Sequence, residues 1–247
     1  MKTKITLAMA CFIVFVLCSA AVAYYYMPIV LECPNCKTHF VQEETVSGNT
    51  IGSVLYTDGK ENAPMLPDQP WLVKCEKCKG LFWIEEALKV DIGFKAAEGV
   101  PSAMWPSEVD LLSFISSSKP SGKKETYLRI LAWRTANDAW RSHPFANSRF
   151  SEEQKNNMRT LSHLLDDTDE IQRILKAEIA RELGEFNNCK RLLSYAFADQ
   201  FSYTTSIIRQ LAEERDSRVR VISSSEPETY KRKSYPGSSR KSRTKSE

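Results

Sequence analysis

Two short cysteine pairs, Cys33-Pro34-Asn35-Cys36 and Cys75-Glu76-Lys77-Cys78, constrain this chain more than any other feature in it. The spacing inside each pair lets both sulfurs, with nearby backbone N–H groups, face one ion. Two such turns supply the four thiolates of a tetrahedral Zn²⁺ site, so Cys33, Cys36, Cys75 and Cys78 are the expected ligands. Pro34 suits a tight turn, and Gly80 is expected to supply a positive φ where the second turn runs back into a strand. Phe40, Phe82 and Trp83 follow the two turns and are expected to cover the site. A unit of roughly 60 residues buries little apolar surface, so ligation should provide much of its stability. The competing readings are two disulfides, or cysteines with no shared role. His39 is a candidate substitute ligand, or else a polar residue on an outgoing strand. Neither pair is followed by His, which excludes c-type haem attachment.

The N-terminus pulls in another direction. Lys2 and Lys4 precede a run from Ile5 to Leu31 that contains no charge, long enough to cross a bilayer. Ala21-Val22-Ala23 also fits a small-residue cleavage site. The expectation is a single-pass anchor over residues 1–30, because apolar residues continue through Tyr24 to Leu31 and tyrosines suit a membrane interface. The alternative is export after cleavage near Ala23. Either way the charge flanking predicts an exported bulk, where thiols tend to oxidise unless metal protects them.

Between the pairs, Ile51 to Tyr56 is β-prone and ends at Thr57-Asp58-Gly59-Lys60, a hairpin-turn signal. Ala63-Pro64-Met65-Leu66-Pro67-Asp68-Gln69-Pro70 is too proline-rich for a central strand. Trp71 to Lys74 and Leu81 to Ile84 read as strands into and out of the second pair. The order CPNC, YTDGK, APMLPDQP, CxxCxGxFW resembles a group of bacterial zinc-ribbon proteins of unassigned function in which the ribbon precedes a tetratricopeptide-like helical region. The resemblance implies zinc at the four cysteines and a non-enzymatic role. Its known pattern lacks the long apolar N-terminus.

After a connector with Gly93, Gly99 and Pro101, the pattern becomes helical. Ser107 can cap a first helix carrying Val109, Leu111, Leu112, Phe114 and Ile115, ended by the Ser-, Pro- and Gly-rich stretch 116–122. A second carries Tyr127, Ile130, Leu131, Ala136 and Trp140 and stops before Pro144. Ser151 with Gln154 forms a capping box for a third, faced by Met158, Leu161, Leu164 and Leu165. Asp167 or Thr168 starts a fourth with Ile171, Ile174, Leu175, Ile179 and Leu183. After Gly184 a fifth presents Cys189, Leu192, Leu193, Ala196 and Phe197. The last two resemble one tetratricopeptide unit, with Arg173 and Lys176 departing from its large aromatic and its leucine. A plain helical hairpin fits the same spacing. A last helix with Ile207, Ile208, Leu211 and Ala212 would cap the stack.

The fold expectation is therefore α+β: an N-terminal transmembrane or signal helix (1–30), a small β zinc ribbon (31–90), an all-α helical-hairpin domain (102–221) and a disordered tail (222–247). That tail holds seven Lys and Arg against three acids, while the rest of the chain is nearly neutral. Basic character is thus a property of the tail, which could touch nucleic acid or anionic lipid, or only solubilise. No catalytic constellation is visible: His143 and His163 have no sequence-visible partner, and no phosphate-cradling glycine loop occurs. The expected role is a membrane-anchored, non-catalytic interaction or scaffold protein with a protein partner. The alternatives are a nucleic-acid-binding zinc ribbon and an exported thiol-disulfide protein.

Overall fold

The computed structural model describes residues 25–90, 99–143 and 150–224. Three small sheets come first. β1 (Tyr25–Glu32) pairs antiparallel with β2 (His39–Ser47), and its last three residues also pair with β7 (Leu88–Val90). β5 (Leu72–Lys74) and β6 (Leu81–Trp83) form a second hairpin. Between them lie β3 (Val54–Tyr56) and β4 (Glu61–Asn62), joined through Asp58-Gly59, where Gly59 takes the positive φ of 72° that the turn needs.

The expected N-terminal transmembrane or signal helix is corrected by β1. Residues 25–31 belong to the uncharged run, yet they form a strand whose register sets Leu31 against Phe40 and Val30 against Val41. Ile29, Val30 and the tyrosines permit a pleated chain and Pro28 cannot donate within a helix, and the pairing with β2 selects the strand. Pro28 lies in the part of β1 that has β2 on one side only, so the missing N–H costs no ladder bond there. Among the described residues no helix is long and apolar enough to cross a membrane. The predicted membrane location through a single-pass anchor over residues 1–30 therefore loses residues 25–30 of its span to β1. The segment before Tyr25, including the site near Ala23, lies outside the described residues.

The helices follow as α1 (Glu108–Ser118), α2 (Gly122–Ala136), α3 (Asp138–Ser142), α4 (Glu152–Leu164), α5 (Glu170–Glu182), α6 (Phe186–Leu192) and α7 (Ser202–Glu213). Ser107 and Ser151 cap α1 and α4 through reciprocal bonds with Asp110 and Gln154. Asp169, rather than Asp167 or Thr168, caps α5. α5 and α6 form a helical hairpin closed at Gly184, with Ala177 and Cys189 fully buried in it. α6 ends earlier than its apolar pattern suggests, leaving Ala196 exposed beyond it. Buried Arg173 accounts for that loop: it donates to the carbonyls of Asp167 and Ala196 and stacks on Phe197.

Ribbon and helices share a wall. In the β5–β6 hairpin, Leu72 pairs with Trp83 and Val73 with Phe82. Alternation sends the first pair into the helical core with Leu111, Ile115, Leu128 and Ala132, and the second toward the cysteines. A second junction lies at the tip of the insert. Asp58, completely buried, accepts from Asn137 Nδ2 at 3.0 Å and pairs with Arg141, while its carbonyl accepts from Arg134 Nε at 3.1 Å. Thr57 next to it exchanges bonds with Arg220. The chain there continues into β8 (Val221–Ser224), which pairs antiparallel with β3 and buries Ile222, so ordered chain crosses the boundary set at residue 222. Residues from 225 onward lie outside the described residues.

Candidate metal centre

Each cysteine pair sits at the tip of a hairpin. Cys33–Cys36 spans the turn from β1 to β2, and Cys75–Cys78 the turn from β5 to β6. The two turns have the same backbone pattern. Cys33 N–H donates to Thr38 O at 2.9 Å and Lys37 N–H to Cys33 O at 3.0 Å; Cys75 N–H donates to Gly80 O at 3.0 Å and Lys79 N–H to Cys75 O at 2.9 Å. Lys37 and Lys79, each one residue past its pair, hold φ of 61° and 59°. The left-handed residue of the second turn is therefore Lys79 and not Gly80, a correction to the sequence reading. What glycine gives at 80 is room: a Cβ there would stand 2.9 Å from Asn35 Nδ2, which would have to move aside, and 3.4 Å from Cys78 Sγ. The first turn leans on the second at that point.

The turns bring the four predicted ligands together. Sulfur atoms of Cys33, Cys36, Cys75 and Cys78 all lie within 4.8 Å of one another, with Cys33 to Cys78 at 3.9 Å and Cys36 to Cys75 at 3.6 Å. None is in a disulfide, for which S–S is about 2.05 Å. Four sulfurs this close could hold a metal ion. Cys33 and Cys75 are buried, Cys36 is half-buried and Cys78 is exposed, so the cluster has an inner and an outer side.

On the inner side Phe40 and Phe82 meet edge to face at 5.5 Å and pack with Leu31, Val73, Cys33 and Cys75. Trp83 does not join them: strand alternation turns it to the helices, where the Lys124 ammonium lies 4.5 Å from its ring centre. Burial pushes the Cys33 thiol up to about 12, whereas hydrogen bonding to Thr38 lowers Cys36 to about 6. Ligation needs both as thiolates, so near neutral pH the binding of a cation must displace the proton that Cys33 still holds, and it is coupled to pH. Thr38, whose hydroxyl lies 3.3 Å from the Cys36 sulfur, was not visible as a site residue, since a lone Thr after a CxxC carries no spacing signal.

His39 is not brought into the cluster. It faces Glu32 across β1, 3.9 Å away. His143 and His163 are exposed on the helical side. The second turn is fixed to the helices through Lys74, whose ammonium donates to both Asp110 oxygens at 2.8 Å. Burial alone would push the Asp110 carboxyl up, but Lys74 and Ser107 bring it below the ordinary range.

No protein-family model matches this chain, and no curated protein or solved structure is significantly similar to it. What the cluster can do is read from its own geometry.

Proposed function

We propose that one Zn²⁺ held by Cys33, Cys36, Cys75 and Cys78 makes this chain a zinc-ribbon protein, and that the ribbon with its helices is a non-catalytic module that binds another protein. The observation that carries the reading is the sulfur geometry. A tetrahedral ion with Zn–S of about 2.3 Å needs sulfurs about 3.8 Å apart, and two of the separations here are 3.6 and 3.9 Å. Four protein ligands leave no open coordination position, which is the arrangement of structural rather than catalytic zinc. Paired turns with matching hydrogen bonds support the likeness to zinc-ribbon proteins that carry helical regions. Protein binding is favoured by large side chains left on the ribbon's flank: Trp71 is 60% exposed and Trp105 53%, with Met104 and Leu66 also outside the core. Exposed aromatics of this kind commonly anchor interfaces.

Metal analysis with thiol counting on the purified full chain tests the metal. The expected result is about one zinc per chain, with four thiols protected until a chelator is added. Metal-free protein with these four sulfurs oxidised would refute it. For the role, Ala at any of the four cysteines is expected to unfold the ribbon and abolish partner binding; a turnover lost on zinc removal would overturn the non-catalytic reading.

A further inference from the structure

A cleft of about 300 Å³ opens between the outer edge of β2 and the extended stretch from Pro67 to Pro70, with Val73 at its base and Trp105 on its flank. It borders an unfinished strand edge. Val41 turns its backbone outward, donating to Pro101 O at 2.8 Å and accepting from Ala103 N–H at 3.0 Å. Alternation along an antiparallel strand turns Glu43 to the same edge. Among the described residues nothing accepts from the Glu43 N–H, and one place further on Gln69 crosses to the Thr45 hydroxyl at 2.9 Å. The two charged side chains lining the cleft, Glu43 and Asp68, are both acidic and exposed; neither forms a close ion pair among the described residues, and Arg134 acts on Asp68 only at longer range.

An occupant must therefore be extended, offer a main-chain carbonyl to Glu43, and carry positive charge. The chain supplies such a segment. In Arg240-Lys241-Ser242-Arg243-Thr244-Lys245 the cations at 241, 243 and 245 alternate with small hydroxyl residues, which places all three on one face of an extended chain. Reach permits it. Ser224 pairs with Val54, and Val54 with Asn62, so Ser224 and Asn62 are two strand spacings, about 10 Å, apart. The six residues from Asn62 to Asp68 add at most about 20 Å, and the seventeen from Ser224 to Lys241 can extend to about 55 Å. The nearer basic run, Lys231 to Lys233, lies close to the limit of its own reach.

We propose that Arg240 to Lys245 of this chain lies extended in the cleft beside β2, its cations paired with Glu43 and Asp68 and a carbonyl accepting from the Glu43 N–H. The ion held at the cysteines plays no part in the argument, so failure here leaves the zinc reading untouched. A carbodiimide, which joins an amine directly to a carboxylate, tests the contact on the full-length, metal-loaded chain at low protein concentration. Links from Lys241 or Lys245 to Glu43 or Asp68 are expected to dominate the tail's linkages in 20 mM salt. They should fall about fivefold in 0.5 M NaCl, as surface ion pairs are screened. Glu43→Gln should lower the links to Asp68, and Asp68→Asn those to Glu43; both residues are exposed, so neither change threatens the fold. Tail linkages spread over other carboxylates, or unchanged by salt and by both substitutions, would overturn the proposal. So would links that join isotopically heavy to light chains in a mixed sample, since the occupant would then belong to a second copy.

Discussion

Replacing Asp58 by Asn should destabilise the whole molecule by about 3 kcal/mol, although the change is isosteric and lies in a turn. The Asp58 carboxylate is fully buried and Arg141, its partner, is 8% exposed. Removing one charge of a buried pair costs about 3–5 kcal/mol, because the other is left without compensation. Three contacts survive for Arg141: Asp138 Oδ1 at 2.6 Å, the Arg134 carbonyl at 2.7 Å and the Tyr56 ring at 4.8 Å. Asn137 likewise keeps Glu182 as an acceptor. The lower end of the range is therefore expected, against a total stability on the order of 5–15 kcal/mol. Urea unfolding of the metal-loaded chain, followed by tryptophan fluorescence and far-ultraviolet circular dichroism, measures it. Arg141→Met in the same background supplies the control, since removing both charges of a buried pair is often close to neutral. The double variant should then recover at least about half of the loss. A cost below about 1 kcal/mol for Asp58→Asn, or an equal cost with and without Arg141, would mean that apolar packing rather than charge holds the turn against the helices.

Three further outcomes are expected. Glu182 is held protonated well above the usual carboxylate range by complete burial, with Glu178 and Asp58 adding to the effect. The folded state thus keeps a proton that the unfolded chain releases, and stability falls as pH rises above about 4.3 toward the folded value, by up to about 1.4 kcal/mol per pH unit. Glu182→Gln should flatten that slope in urea titrations at several pH values; parallel slopes would contradict it. Excess chelator should lower the melting temperature of the natural chain but shift that of Cys33→Ser by less than about 2 °C, because a ligand absent from the start cannot be lost. Equal shifts would separate the metal from the cysteines. Finally, Gly80→Ala should cost about 1 kcal/mol or less, since the Asn35 side chain can move aside, and Gly80→Val about 1–3 kcal/mol with weakened metal retention, as its methyls press on Cys78.

Local chemistry was legible in the sequence and long-range pairing was not. The two cysteine turns, the Ser107 and Ser151 caps and the Asp58-Gly59 hairpin each depend on residues within a few positions of one another. The run from Tyr25 to Leu31 could be read as helix or strand from its composition alone; Phe40 and Val41, which decide the matter by pairing with it, stand beyond the first cysteine turn. Asp58 has the look of an ordinary solvated turn acid, and only Asn137 and Arg141, about eighty positions later, make it a buried anchor. The strand at Val221–Ser224 hides for the same reason. Ile222 opens a Ser-, Lys- and Arg-rich stretch that reads as tail, yet just before it Asp216 gathers Arg218 and Arg220: burial would push its carboxyl up, but they pull it down to about 2. Gly80 reads from the sequence as the left-handed residue of its turn, but that conformation belongs to Lys79, which carries no such signal.

Synthesis from the N-terminus gives the β3–β8 pairing a temporal meaning. Both cysteine hairpins are complete while residues 221–224 have still to be made, so a growing chain passes through a stage with its insert docked to nothing on that side. An unpaired β edge is a template for other chains. Until the final strand arrives residues 54–56 present such an edge, and a chaperone that shields them is expected to raise the yield of folded molecules without touching their final stability.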